Sequence, residues 1–288
     1  MNSLAHNHID KKKLSANTQQ KLQKLNRYLS NIIKEGIIIA FSGGTDSAML
    51  LWAAKKVEEN IGGNLLAVTQ DSYSLPRKDL QEAKNYTKSL NIKHEIVQGK
   101  EFEDPNYIKN DLNRCYYCRK ELFKITDSII ARDGYKYVLY GYNASDKSDF
   151  RPGHKAAVEN NVLAPLAEIG FTKTEIREIL RSNNIKLADK PATPCLSSRI
   201  MTGIPIEQKH LKNIEEMENI LWDAKAKQFR IRLCKDEQDY FLRIEASEDD
   251  IPIVLKNKNR LIEMSKNFNY KWITLDLEGY KLGGGVKK

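Results

Sequence analysis

No part of this 288-residue chain is apolar for anything near the roughly 20 residues that cross a bilayer. Its start, MNSLAHNHIDKKKLSANTQQ, lacks the apolar stretch that heads a secretory signal. Internal repeats and low-complexity segments are also missing. Cysteine is scarce, with only Cys115, Cys118, Cys195 and Cys234. With no apolar stretch at the start, the expectation is a cytoplasmic protein, where thiols are kept reduced. Two of the four lie in NRCYYCRK, residues 113–120. That spacing permits a metal site, a redox pair, a disulfide or no role at all.

What is present is enough hydrophobic sequence for a core, 41%, and a net charge of +9. The charge fits nucleotides, phosphorylated small molecules, RNA, or simply a solvated basic surface. Against RNA, no dense Lys/Arg run or aromatic-rich module occurs. The length allows one large domain or a medium domain with a small companion.

Leu22, Leu25, Leu29 and Ile32 recur at spacings of three and four, predicting an amphipathic helix over 20–34. GIIIAF then reads as a strand, followed by a helix through Lys56. NLLAVTQ, KHEIVQ and YKYVLYG read as further strands, with helices at RKDLQEAKNYTKSL and near 118–132. This alternation predicts an α/β fold, an open and mainly parallel sheet flanked by helices. TKTEIREILRSNN is a further helix, with Thr172 as N-cap and Glu175 completing a capping box. Prolines and a glycine in KPATPCLSSRIMTGIPI place a domain boundary near residue 203. Beyond it, a helix (207–222), two strands (QFRIRLC and DYFLRIEA), a helix (248–266) and a strand (KWITLDL) predict a small α+β domain. The expected organisation is therefore 1–203 and 204–288, with the terminal GGGVKK expected to be mobile.

The strongest local signal is IIIAFSGGTDSAML. A buried strand enters Ser42, Gly43, Gly44, Thr45, Asp46 and Ser47 and passes directly into a helix. Two glycines let the backbone turn sharply and approach a ligand closely. Amide groups at the helix start would face an anion, assisted by the helix dipole. Ser42 and Ser47 can add donors, and Asp46 can hold a Mg²⁺ that offsets phosphate charge. No lysine follows the glycines as in a Walker loop, and the pattern is not GxGxxG.

This segment resembles the PP-loop of the ATP pyrophosphatase superfamily, with its pattern SGGxDS. The resemblance implies ATP binding, adenylation of a substrate and release of pyrophosphate. It further implies adenosine contacts from AVTQDS (67–72), including Thr69 and Ser72, and from GYNASD (141–146), including Gly141 and Asn143. Adenylation makes a carboxylate oxygen a good leaving group, which a soft sulfur nucleophile can displace.

RPGHKAA, PLAEIGFTKTEIREIL, DKPATPCLSSRI and ITLDLEGY extend the resemblance from about residue 20 to residue 280. Together they resemble the sulfurtransferases that make the nickel-pincer nucleotide cofactor of lactate racemase. Those enzymes convert the carboxylates of pyridinium-3,5-biscarboxylic acid mononucleotide to thiocarboxylates. Some members sacrifice the sulfur of a cysteine matching Cys195. Others add cysteines matching Cys115 and Cys118 and hold a [4Fe-4S] cluster that carries an extra sulfide. All three cysteines occur here, so the resemblance implies the cluster type, with Cys115, Cys118 and Cys195 as both ligands and catalytic residues. Zinc on the three cysteines and His154 is the structural alternative.

The resemblance also implies phosphate contacts from Arg230 and Arg232, substrate binding by Arg199 and by the acidic Glu218 and Asp249, and more weakly an anion contact from Lys155. A homo-oligomer is implied as well, while the sulfide source stays open. Read on their own, Glu218 and Asp249 are a solvated helix residue and a helix-start residue. Cys234 reads as a free strand cysteine on the same face as Arg230 and Arg232. A cluster-dependent tRNA thiolase and a non-catalytic nucleotide-binding protein remain as alternatives. An amide-forming synthetase would leave the three cysteines unexplained.

Overall fold

A computed structural model describes residues 14–146, 152–191 and 194–281. The terminal GGGVKK lies outside them. The elements run α1 (Ala16–Ile32), β1 (Ile37–Ala40), α2 (Thr45–Ile61), β2 (Leu65–Asp71), α3 (Arg77–Ser89) and β3 (Lys93–Gln98). Then follow α4 (Pro105–Ile108), α5 (Arg114–Asp133), β4 (Tyr137–Tyr140), α6 (Pro152–Glu159), α7 (Pro165–Ile169) and α8 (Lys173–Ser182). The last part holds α9 (Gln208–Asp223), β5 (Phe229–Asp236), β6 (Asp239–Ala246), α10 (Ile251–Lys256), α11 (Lys258–Asn267) and β7 (Ile273–Leu275).

The first sheet has the order β3-β2-β1-β4, with every pair parallel. All four residues of β1 are buried because it lies between β2 and β4 and is covered on both faces. Alternation divides its side chains. Ile37 and Ile39, with Phe41 beyond the strand, join Leu25 and Leu29 of α1, the apolar face of α2, and Ile176 and Ile179 of α8. Ile38 and Ala40 join Leu122, Phe123 and Ile129 of α5 and Ala156 and Ala157 of α6. The chain leaves β1 toward β2 and later returns to its other side as β4. The carboxyl end of β1 is thus a switch point, where an open parallel sheet leaves a crevice.

The second sheet is small and mixed, in the order β5-β6-β7, with β5 and β6 antiparallel and β6 and β7 parallel. It packs on α9 around Leu211, Ile214, Met217 and Leu221, together with Ile231, Leu233 and Leu242. This second core also takes in Tyr107 from α4 and Leu196 and Ile200 from before the α9 region. The helix expected over 248–266 is instead two helices that meet at Asn257. No helix among the described residues is long and apolar enough to cross a membrane.

Candidate active site

The loop after β1 crosses the carboxyl edge of the first sheet. Gly43 has φ +70°, and a Cβ there would stand 3.2 Å from the Asp79 carbonyl, so glycine lets the loop lie against α3. Thr45 Oγ1 donates to the Leu187 carbonyl at 3.1 Å, and Lys190 Nζ donates to the Gly43 carbonyl at 3.1 Å. Lys190 is itself paired with Asp79 at 2.9 Å and Glu82 at 2.8 Å. Ser42 Oγ lies 3.3 Å from Ser47 Oγ and accepts from the Gly44 N–H at 3.4 Å. Both oxygens of Asp46 accept from Lys173 Nζ at 2.7 Å. Burial raises the Asp46 pKa, and Lys173 opposes that rise.

Gly141 stands behind this loop, because a Cβ on it would fall 2.5 Å from the Ser47 nitrogen. Asn143 is buried beside Asp46 and accepts from the Ser145 N–H at 2.8 Å. Both were expected to contact the nucleotide. The structure places them against the start of α2, beside Ser47 and Asp46 and outside the lining of the cavity described next.

That cavity, of about 470 Å³, opens over the loop. Its walls include Ser42, Gly44, Thr45 and Asp46, the expected Thr69 and Ser72, and all three of Cys115, Cys118 and Cys195. Thr69 is fixed by donating to the Phe41 carbonyl at 2.7 Å, with His94 Nε2 at 2.8 Å from its hydroxyl. The first turn of α5 begins at Arg114, earlier than the expected 118, so Cys115 and Cys118 stand three apart on one helical face. Cys195 arrives from the opposite side, just before a 3₁₀ turn over Leu196–Arg199.

This turn is held from several directions. The Leu196 N–H donates to the Ser74 carbonyl at 2.7 Å. Buried hydroxyls of Ser74, Tyr107 and Ser197 form a closed ring, with Ser197 Oγ 2.6 Å from Ser74 and 2.7 Å from Tyr107. Arg114 Nη1 donates to the Ser197 carbonyl at 2.8 Å and to Asn110 Oδ1 at 2.5 Å, and its guanidinium lies beside Cys195 and Cys115.

All four thiols are free. Burial pushes the Cys118 thiol well up, Glu101 adds to the rise, and Arg119 opposes it. Glu101 is itself buried and accepts from Gln70 Nε2 at 2.7 Å. Among the described residues, no three His, Cys, Asp or Glu side chains stand close enough to hold a single ion. Cys234 is buried on β5, as a strand cysteine would be, and burial raises its pKa.

Several expected anion contacts are taken up by the protein itself. Arg199 is 1% exposed and forms a two-pronged pair with Glu218, at 3.0 Å on each prong. Its Nη1 donates to the Pro194 carbonyl at 2.5 Å and the Cys195 carbonyl at 3.2 Å. Glu218 also accepts from the Ile231 N–H at 3.1 Å. Arg232 pairs with Glu245 at 2.7 Å and donates to the Ser198 carbonyl at 2.8 Å. Arg230 is buried, donates to the Phe229 carbonyl at 2.6 Å and lies 5.1 Å from the Tyr280 ring. None of these four lines the main cavity. They brace the turn behind Cys195 or the sheet behind that turn.

Asp249 is exposed, whereas the neighbouring Asp250 is buried and caps the Lys227 and Gln228 N–H groups, the latter at 2.7 Å. His154 stacks on Tyr142 at 4.2 Å with its Nδ1 2.5 Å from Tyr140 Oη, in a different cavity from the cysteines. Lys155 is exposed and pairs with Glu159 at 3.8 Å. Among the described residues, the cations lining the cavity are Arg114, Arg119, Lys173, Arg177 and Lys190, which the sequence reading did not single out. Arg114 and Arg119 directly flank the cysteine pair, and that adjacency was the available signal.

A parallel sheet with an SGGTDS turn at its switch point defines a nucleotide-binding α/β protein. Residues 14–149 match the PP-loop domain family. An uncharacterised protein of Synechocystis sp. is 36% identical over 267 residues, covering 92% of this chain and 96% of that protein. One of Methanocaldococcus jannaschii is 30% identical, covering 91% and 98%. The chain belongs to the PP-loop ATP pyrophosphatase family, whose members use ATP. It is also similar to the pyridinium-3,5-bisthiocarboxylic acid mononucleotide synthase of Lactiplantibacillus plantarum, at 28% identity over 250 residues, covering 86% of this chain and 87% of that enzyme.

Proposed function

We propose that this protein is an ATP-dependent sulfurtransferase that adenylates a carboxylate of pyridinium-3,5-biscarboxylic acid mononucleotide and converts it to a thiocarboxylate. The observation that carries this reading is that one cavity is walled by both the phosphate loop and three free cysteines. Similarity to the Lactiplantibacillus plantarum synthase supports the substrate class. In this reading residues 1–203 carry adenylation, and residues 204–288 complete substrate binding and self-association.

The N–H groups of Gly43 to Ser47 and the hydroxyls of Ser42 and Ser47 bind the ATP phosphates. Lys173 and a Mg²⁺ near Asp46 neutralise them. A substrate carboxylate oxygen attacks the α-phosphorus, the bond to the bridging oxygen breaks, and pyrophosphate leaves with that electron pair. Replacement of AMP by sulfur at the acyl carbon completes the thiocarboxylate.

Three thiols lining one cavity, with the cations Arg114 and Arg119 beside them, fit the ligand set and charge of a [4Fe-4S] cluster. They fit a zinc site with His154 less well, because that imidazole is engaged with Tyr140 elsewhere. Held by Cys115, Cys118 and Cys195, the cluster would supply sulfide to the activated acyl group. Iron, acid-labile sulfide and zinc per chain after oxygen-free purification test this reading, alongside pyrophosphate release with the pyridinium substrate. Roughly four irons with matching sulfide are expected. Zinc, or no metal, would return Cys195 to the role of sacrificial donor. Absence of pyrophosphate release would sink the reading.

A further inference from the structure

Among the described residues, the main cavity is lined by five cationic side chains and two carboxylates, Asp46 and Asp79. Lys173 is taken up by Asp46, and Lys190 by Asp79 and Glu82. Arg177 belongs to the loop end, where its Nη2 donates to the Lys190 carbonyl at 3.1 Å. Arg114 and Arg119 remain at the other end, beside the cysteines.

Among the described residues, neither arginine has a carboxylate within ion-pair distance. The acceptors of Arg114 Nη1 are a neutral amide oxygen and a backbone carbonyl. Arg119 lies 5.7 Å from the Tyr140 ring, a neutral face. Glu101, whose charge acts on Cys118, is turned to Gln70 and does not line the cavity. Two half-buried guanidiniums on one wall with no anion of their own favour an anion in the cavity. The planar fork of a guanidinium matches a carboxylate in two-pronged fashion. Arg114 is also pre-positioned, because Nη1 is fixed to both α4's following loop and the Cys195 turn.

We infer that Arg114 and Arg119 form a carboxylate-binding end of the cavity, which seats the substrate's acyl group between the ATP phosphates and the cysteines. The identity of that substrate rests on the proposed function. The cationic end itself rests on the cavity's charge. It adds to Arg199, Arg230 and Arg232, which the structure pairs within the protein.

Calorimetry on the full chain with α,β-methylene-ATP present tests the assignment, using nicotinate mononucleotide and benzoate as probes. Arg114→Gln and Arg119→Gln are each expected to weaken both probes about tenfold, with the nucleotide affinity unchanged. Arg114→Lys is expected to restore only part of the loss, since a point charge lacks the fork. Should Arg114→Gln fail to fold, Arg119→Gln decides, because among the described residues Arg119 makes no side-chain hydrogen bond and lies over the Tyr140 ring. Unchanged mononucleotide affinity in a folded Arg119→Gln overturns the assignment while keeping the substrate. If iron content falls at the same time, the arginines serve the thiolates instead. Benzoate bound by the wild type and lost in Arg119→Gln, with no mononucleotide binding, supports the carboxylate end and removes the pyridinium substrate. A wild type that binds neither probe overturns both.

Discussion

Gly141 shows how one residue can shape a site through backbone packing. Its Cα lies so near the start of α2 that an added Cβ would meet the Ser47 nitrogen at 2.5 Å and the Asp46 carbonyl carbon at 2.9 Å. Both neighbours are backbone, so the strain must move the phosphate loop. Gly141→Ala is expected to lower stability by about 1–3 kcal/mol and to weaken ATP binding. Thermal melting with and without ATP checks this, and retained ATP affinity would show that the loop can shift. The phosphate loop itself was legible because its chemistry sits in six consecutive residues. The arginines were only half legible. Spacing correctly puts Arg230 and Arg232 on one face, yet the carboxylates that occupy that region, Glu218 and Glu245, come from α9 and β6. Local sequence carries no record of such meetings.

At the scale of elements, α8 follows its sequence closely. Thr172 and Glu175 make the expected capping box, and Glu175 also binds Lys21 of α1 at 2.7 Å. Burial pushes the Glu175 carboxyl up, but Lys21 and Thr172 outweigh burial and hold it below its ordinary 4.5. The folded state therefore binds this proton less readily than the unfolded chain. Its stabilisation is complete above pH 4.5 and is lost as pH falls through the folded value. Thr172→Ala is expected to cost about 1 kcal/mol at neutral pH. Melting from pH 7 down to 3 should show the wild type losing more stability than Glu175→Gln; parallel curves would contradict this account. The start of α5 was less legible, since Asn113 gives it no side-chain cap and aromatic residues in Cys-Tyr-Tyr-Cys favour helix weakly.

Across the whole molecule, the first sheet and the second core meet at the cysteine cavity. Ser74 follows β2, Tyr107 belongs to α4, and Ser197 lies in the turn after Cys195, yet their hydroxyls close one buried ring. Tyr107→Phe would leave the two serines with one partner fewer, for a cost of about 1–3 kcal/mol. Chemical denaturation should show that loss, and faster alkylation of Cys195 should accompany it. Unchanged stability and alkylation would mean the ring is dispensable. Such long-range contacts were beyond the sequence, because the three hydroxyls are separated by 33 and 90 residues.

The turn after Cys195 is gripped by the Ser74 carbonyl, by Arg114 and by Arg199 and Arg232 acting on its carbonyls. Freezing a backbone residue into one conformation costs roughly 1–2 kcal/mol of entropy. Here that freezing is accomplished once, when the chain folds. Under the proposed function, each substrate would therefore meet a thiol already aimed, and its binding energy would not be spent on ordering that thiol.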